Sequence, residues 1–323
     1  MSPTSTARAD ARSRSVSWEV LGLPLALLVL AVFFALRAPH FAEVTNLSNV
    51  ARQGAVLALI GIAQTVVILG AGIDLSVGSV IALSSVLMAT GLQHGNAVVG
   101  AGMALGAGLL VGLVNGLIIG LTRVTPFIVT LGMLSIVSGL ALTITNGDPI
   151  FELADSSFFQ LGTGYVGPVP IPVVLAAVAF AAVWFLLYRT RFGTHVYAIG
   201  GNEQAATLAG IAVARTKVLV YMLSGCFAAL GGIILTARVH SGQPLLGQGL
   251  ELSSVATVVI GGTSLFGGRG RLVGTLFGVA LVGIVQNGLD LLGVSTFIQR
   301  IVIGAATIGA VLLTVLREGG RQP

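Results

Sequence analysis

The residues whose chemistry is least expected in their surroundings stand in one short stretch, Gly70–Ser79, which reads GAGIDLSVGS. It places a carboxylate, Asp74, and two hydroxyls, Ser76 and Ser79, between apolar runs of membrane length. A carboxylate at bilayer depth costs about 2.5–3.5 kcal/mol on insertion scales, so it is rare there without a partner or a function. Glycines beside polar side chains are typical of a broken helix, because irregular backbone inside a membrane must be buried in protein or line water.

This pattern leaves two interpretations of Asp74. In the first, a helix begins at about Leu75 near the cytoplasmic end of a span, and Asp74 is its N-cap, accepting from the backbone N–H of Ser76 or Val77. In the second, the stretch is a helix break deeper in the membrane, where Asp74 needs a charged or hydroxylated partner. The candidates for the break or for a translocation path are Asp74, Ser76, Ser79, Asn115 and Asn287. The hydroxyls and amides among them could equally form interhelical hydrogen bonds.

A second informative stretch, Tyr197–Ile211, reads YAIGGNEQAATLAGI and is too polar to span a membrane. Asn202 can cap a short helix, Glu203 suits the positive end of its dipole, and Gly210 supplies a stop. The apolar ridge of this helix would consist of Ala205, Ala206 and Leu208. A short amphipathic helix with its alanines outward fits a groove on another protein, whereas the alternative is a connecting helix packed on its own chain.

The elements that hold these stretches are membrane helices. Of the 323 residues, 55% are hydrophobic and 8% charged, and the mean hydropathy is +1.01. Successive apolar windows predict an all-α polytopic membrane protein with about ten transmembrane helices between residues 18 and 316. The expected spans are Trp18–Leu36, Val50–Leu69, Val77–Leu92, Ala97–Leu121, Phe127–Thr145, Ile171–Leu187, Thr216–Ala237, Leu250–Phe266, Leu272–Leu289 and Phe297–Leu316. Glycine recurs every four residues from Gly108 to Gly120, which predicts a flat stripe for close helix packing.

The distribution of basic residues predicts the orientation. With ten spans and the amino terminus inside, twelve of the 16 Lys and Arg residues fall on cytoplasmic segments and four on the outer side. This is the positive-inside pattern, so both termini are predicted to be cytoplasmic. Residues 1–17 and 317–323 are then cytoplasmic tails, 197–213 is a cytoplasmic segment, and 146–170 is an outer loop. The basic excess is scattered and forms no basic face, so nucleic acid is not an expected partner.

Several kinds of site are excluded by residue counts and spacing. A single cysteine, Cys226, and four scattered histidines offer no metal cluster. The chain has no GxxxxGK[ST] motif, so a nucleotide site of its own is not expected. Glu251 and Asp290 are predicted at span ends, which leaves Asp74 as the only acid expected at depth. A proton- or ion-coupled carrier needs more titratable groups than that inside the membrane.

Three motifs together resemble the membrane permease of ribose-type (monosaccharide) ABC importers. They are GIDLSVGS at Gly72–Ser79, IGGNEQAATLAGI at Ile199–Ile211 and VIGGTSLFGGRG at Val259–Gly270. Phe127–Ile136 and Gln243–Leu252 are also similar to that family, and the likeness extends from about Asn46 to Leu316. The resemblance implies a permease that moves a small sugar, a ribose-like pentose or a hexose, across the bacterial inner membrane.

The same resemblance implies the partners. They are a cytoplasmic ABC ATPase that carries the ATP and Mg²⁺, an extracytoplasmic sugar-binding protein, and a second copy or paralogue of the permease in the lipid bilayer. It assigns the coupling of ATP hydrolysis to a short cytoplasmic helix, here Gly201, Asn202, Glu203, Ala205, Ala206 and Gly210. The alternative function is a secondary transporter or channel for a small polar solute.

Overall fold

The computed structural model of the chain describes residues 18–122, 124–154 and 157–319. This part of the chain is mostly helical, with one two-stranded hairpin. The helices are α1 Trp18–Arg37, α2 Val44–Leu69, α3 Val77–Gln93, α4 Ala97–Leu121, α5 Pro126–Thr145, α6 Gln160–Thr163, α7 Ile171–Arg189, α8 Arg191–Gly201, α9 Glu203–Leu208, α10 Val213–Val239, α11 Leu250–Ile260, α12 Leu272–Leu291 and α13 Thr296–Gly319. The hairpin pairs β1 Tyr165–Val166 with β2 Val169–Pro170 in antiparallel register.

Six of these helices are long and apolar enough to cross a membrane: α2, α4, α5, α7, α10 and α12. The apolar stretches at α1, α3, α11 and α13 are shorter. The prediction of an all-α polytopic membrane protein is confirmed. The count of ten crossings and the placement of both termini stay predictions, and the predicted tail 1–17 lies outside the described residues.

The core is built around α2, α3 and α10. The apolar window of α2 is 83% buried, against 17% for that of α5, so α2 is central and α5 peripheral. The glycine stripe of α4 packs against α10, as its spacing predicts. A Cβ on Gly112 would overlap the carbonyl oxygen of Tyr221 and lie 2.8 Å from the Cα of Met222, so only glycine allows this approach.

The span predicted over Leu250–Phe266 is wrong at its carboxyl end. Helix α11 stops at Ile260, because the glycines of the following loop (residues 261–271) leave helical geometry. Gly262, Gly267 and Gly268 all have positive φ values, between 67° and 86°, which suit glycine and end a helix. We call residues 261–271 the glycine-rich loop.

The segment between α10 and α11, residues Ser241–Gly249, re-enters the layer of helices. It begins with Gly242 paired to Ile150 of the outer loop. The backbone N–H of Gln243 then donates to Ser85 Oγ at 3.2 Å, seven residues along α3 from Gly78. The segment ends with Gly247 in backbone contact with Gly78, in the first turn of α3. We call Ser241–Gly249 the re-entrant segment.

The connections between helices fall into two groups on opposite sides of the layer. On one side Gly268 of the glycine-rich loop donates to the Leu69 carbonyl at 2.9 Å, where Gly200 of α8 also makes contact. On the other side Arg52 donates to the carbonyl of Thr163, at the end of α6. Below, the side that carries residues 197–213 is called the inner side and the side that carries 146–170 the outer side.

Candidate functional site

The stretch Gly70–Ser79 contains a helix break, seven residues of non-helical backbone from Gly70 to Ser76 between α2 and α3. Helix α3 begins at Val77 with Ser76 at the N-cap position, so the expected start at Leu75 is two residues too early. Within the break Ala71 has a φ of 57°, a left-handed conformation that costs a non-glycine residue about 1–2 kcal/mol. The surrounding protein must therefore hold this backbone in place.

Asp74 is held by three hydrogen bonds and is 1% exposed. One carboxylate oxygen accepts from the backbone N–H of Ser76 at 2.9 Å and from its hydroxyl at 2.6 Å. The other accepts from the hydroxyl of Ser224 on α10 at 2.7 Å. A buried carboxylate is tolerated when such donors replace its hydration.

Two further buried side chains form hydrogen bonds with backbone groups of the helix break. Thr130 on α5 donates to the carbonyl of Ile73 at 3.2 Å. Gln64 on α2, in the amide orientation that satisfies both of its groups, pairs with the backbone N–H and carbonyl of Asp74 at 3.2 and 3.3 Å. Helices α2, α5 and α10 thus share the task of holding one irregular segment, as backbone at membrane depth requires.

The other two candidates near the break extend this network. Asn115 on α4 donates from Nδ2 to Ser76 Oγ at 3.0 Å, and its Oδ1 is a buried acceptor without a donor among the described residues. Ser79 donates from its hydroxyl to the carbonyl of Ser76 at 2.8 Å. Asp74, Ser76, Ser79 and Asn115 therefore lie together, all of them buried inside a single chain. We call these four residues with Gln64, Thr130 and Ser224 the polar cluster.

The polar cluster lies within the helical layer rather than at its surface. Ser224 follows Val213, the start of α10, by eleven residues, or about 16 Å of helix. Asn115 precedes the end of α4 by six residues, or about 9 Å.

Asp74 therefore combines features of both interpretations, since it accepts from the N–H of Ser76 and also has hydroxyl partners in a deep break.

Asn287 is not part of the polar cluster. Its side-chain amide forms a reciprocal pair with that of Asn46, with both N–O distances at 2.9 Å. Asn46 lies in the first turn of α2, so this pair ties α12 to the start of α2 on the outer side. The observed contact is therefore a pair of interhelical hydrogen bonds.

Residues 191–212, which we call the inner segment, fold as two short helices, α8 and α9, separated by Asn202. Asn202 Oδ1 accepts from the backbone N–H of Ala205 at 2.9 Å, which confirms it as a helix cap. Gly210 has a φ of 81° and follows the last turn of α9, where it ends the helix as expected. Glu203 occupies the first turn and forms an ion pair with Lys217 of α10 at 2.8 Å, a contact that the sequence analysis did not find.

The expectation that both alanines of α9 face outward is wrong for one of them. Ala205 is exposed, and Leu208 is 90% exposed, but Ala206 is 4% exposed and packs against its own chain. The reason is that α9 packs one face against its own chain. Ala206 lies on that face, and Ala205, about 100° away around the helix axis, lies outside it. The apolar side chains that α9 exposes are therefore those of Ala205 and Leu208.

The inner segment contacts the start of the helix break. A Cβ on Gly200 would overlap the carbonyl oxygen of Leu69, the last residue of α2, whereas a Cβ on the following Gly201 would meet open space. Tyr197 of α8 donates from its hydroxyl to the carbonyl of Gly270 at 3.0 Å, and burial raises its pKa, so the phenol stays protonated. Helix α8, the glycine-rich loop and the end of α2 thus meet at one point.

Several residues of this site were missed by the sequence analysis. Gln64, Thr130 and Ser224 are polar residues within apolar windows, and that setting is a signal that could have identified them. Leu69 and Lys217 carry no such signal, because an apolar residue at a helix end and a basic residue on the inner side are both ordinary.

This geometry defines a class: a multi-pass helical membrane protein with a deep polar helix break that touches an exposed helical segment on one side. Residues 46–311 match the family described as "branched-chain amino acid transport system / permease component". No solved structure gives a significant match to the chain.

Curated relatives match over most of their own length. The ribose import permease protein RbsC of Bacillus subtilis is 46% identical over 91% of this chain and 92% of the relative. Its counterpart in Escherichia coli K12 is 44% identical over 90% and 91%. The D-allose transport system permease protein AlsC of E. coli K12 is 35% identical over 92% and 91%. The chain belongs to this permease family, and the predicted likeness to ribose-type ABC importer permeases is confirmed.

Proposed function

We propose that this chain forms the translocation path of an ABC importer for a ribose-like monosaccharide in the bacterial inner membrane. The observation that carries the proposal is the 46% identity to a ribose import permease over 91% of the chain. The energy comes from ATP and Mg²⁺ bound to a partner ATPase, since the sequence has no phosphate-binding GxxxxGK[ST] loop. A second copy or a paralogue of the chain completes the path.

The inner segment supports a role in coupling. Ala205 and Leu208 offer a small apolar ridge that fits a groove on an ATPase. The Glu203–Lys217 ion pair ties α9 to α10, and α8 rests on the Leu69 carbonyl at the start of the helix break. A displacement of α9 by its partner would therefore reach α2, α10 and the break through direct contacts.

The outer loop supports docking of a sugar-binding protein. It presents the hairpin β1–β2 and exposed aromatic side chains, Phe151 and Tyr165. The guanidinium of Arg52 lies 5.0 Å from the centroid of the Tyr165 ring, a distance at which a cation–π interaction steadies the ring. Exposed aromatic residues held in one orientation are suited to binding another protein surface.

The proposal is tested by sugar uptake in a bacterial strain that lacks its own ribose importer. The chain is expressed with a ribose-type ABC ATPase and a ribose-binding protein, and uptake of radiolabelled ribose is measured with allose and arabinose as competitors. We expect ribose uptake that is lost when the catalytic lysine of the ATPase is replaced and that survives a protonophore. Uptake that needs no ATPase and stops with the protonophore would instead support a secondary transporter.

A further inference from the structure

Glu251 lies deeper than the sequence indicates. It belongs to the first turn of α11, and both of its carboxylate oxygens accept from the backbone N–H of Gly249 at 3.1 Å. A Cβ on Gly78 would overlap one of these oxygens, so the carboxylate lies against the first turn of α3. The prediction that Asp74 is the only deep acid is therefore wrong, because the re-entrant segment carries Glu251 inward.

The depth of Glu251 follows from the helices around it. Helix α3 continues for fifteen residues beyond Gly78 to Gln93, about 22 Å toward the outer side. Helix α11 continues for nine residues beyond Glu251 to Ile260, about 13 Å toward the inner side. The carboxylate thus lies well inside the helical layer.

The environment of Glu251 differs from that of Asp74. Asp74 is fully buried and has three donors, two of them hydroxyls, whereas Glu251 is partly exposed and accepts from the backbone N–H of Gly249. Among the described residues, no Lys or Arg forms an ion pair with it. The surface beside it includes the exposed side chains of Gln248 and Leu252.

Contact with lipid would be unfavourable for the exposed side of Glu251. A carboxylate that faces hydrocarbon costs about 2.5–3.5 kcal/mol on insertion scales, and acids at membrane depth therefore face a bundle interior or a water-filled cavity. Helix α3 covers one side of Glu251, so its open side must face water or a neighbouring chain, rather than lipid, when the importer is assembled.

We propose that Glu251 lines the translocation path and binds the hydroxyl groups of the passing sugar, with Gln248 beside it. An ionised carboxylate is a pure acceptor with two oxygens, so it can accept from two neighbouring hydroxyls of one neutral sugar. The amide of Gln248 adds both a donor and an acceptor. That the ligand is a sugar rests on the proposed function, whereas the position of the water-filled path can be tested independently of that function.

The position of the path is tested by thiol labelling. In a Cys226→Ser background, Leu252→Cys is compared with Leu28→Cys on α1, because the two leucines are similarly exposed, at 65% and 59%. A charged, impermeant methanethiosulfonate is applied to the assembled importer in whole cells and in inside-out vesicles, with and without ATP. We expect Leu252→Cys to be modified from at least one side and Leu28→Cys, which has only apolar exposed neighbours such as Leu25 and Val29, to stay unmodified. If Leu252→Cys stays unmodified under every condition, the path does not run past Glu251 and the proposal is overturned.

The binding of sugar is tested by substitution in the full importer. Glu251→Gln keeps one acceptor and Glu251→Ala keeps none, so we expect ribose uptake to fall about tenfold in the first and further in the second. Glu43→Gln, an exposed acid on the outer side, is the matched control. Co-purification with the ATPase and equal amounts in the membrane show that each variant is folded and assembled. Uptake by both Glu251 variants at the wild-type rate would overturn the proposal, whereas absence of ribose uptake by the wild type would overturn the proposed function and leave the labelling result to decide on the path.

Discussion

At the scale of single residues, two acids in one membrane layer have opposite surroundings. Asp74 has its hydrogen bonds supplied from within the chain, by Ser76 and Ser224, so its carboxylate stabilises a local backbone shape. Glu251 has an open side. A deep carboxylate can therefore stabilise the fold or bind a ligand. The number of hydrogen-bond donors that the protein supplies to it distinguishes these two roles.

Replacing Asp74 separates its hydrogen bonds from its charge. Asp74→Asn keeps an acceptor for Ser76 and can donate to the Ser224 hydroxyl, so we expect most ribose uptake to remain. Asp74→Ala leaves those donors unpaired and buried, at a cost of about 1–3 kcal/mol for each group, so expression and thermal stability in detergent should fall. Ser224→Ala removes one partner only and should fall between them. An Asp74→Asn importer that is well expressed and assembled but inactive would show that the charge itself is needed.

At the scale of elements, close approach of helix backbones determines the packing of α4 on α10. Gly112 faces Tyr221 and Met222, whereas Gly106 on the same helix has no atom within 4 Å of its Cβ position. Gly112→Ala should therefore force the helices apart and lower the melting temperature in detergent. Gly106→Ala should be neutral or stabilising by up to about 1 kcal/mol, because alanine favours a helix over glycine. Equal melting temperatures for the two variants would contradict the observed crossing.

The two adjacent alanines of α9 provide a matched pair for the coupling hypothesis. Ala205→Glu adds charge on the exposed ridge, so it should leave the permease folded but reduce ATPase binding and sugar-stimulated ATP hydrolysis at least tenfold. Ala206→Glu places a charge against the chain's own interior, so it should mainly lower stability and the amount in the membrane. The readouts are co-purification with the ATPase, ATP hydrolysis and thermal unfolding. Normal coupling in a well-folded Ala205→Glu variant would make α9 a passive connector.

At the scale of the whole molecule, sequence reasoning succeeds where the controlling interactions are local. Apolar windows predict the helices, and Asn202 and Gly210 mark the ends of α9, because caps act over three or four residues. It fails where contacts between segments distant in sequence determine the position of a residue. The bond from Ser224 to Asp74 joins residues 150 apart, and Glu251 gains its depth from contact with Gly78. The predicted window Leu250–Phe266 covers α11 and the first residues of the glycine-rich loop but not the re-entrant segment, so hydropathy gives no sign of the inward course of residues 241–249.

The orientation of the whole chain yields a further prediction, since ten crossings and the charge bias together predict which side each loop faces. In a Cys226→Ser background, Ser157→Cys on the outer loop should react with an impermeant thiol reagent in intact cells. Gln204→Cys on α9 should react only in inside-out vesicles, because the ten-span arrangement, in which twelve of 16 basic residues lie on that side, predicts that side to be cytoplasmic. Permeabilised cells, in which both positions should react, are the control for thiol reactivity. Reaction of both variants from the same face of sealed membranes would rule out the ten-span arrangement, and with it the access of a cytoplasmic ATPase to Ala205 and Leu208.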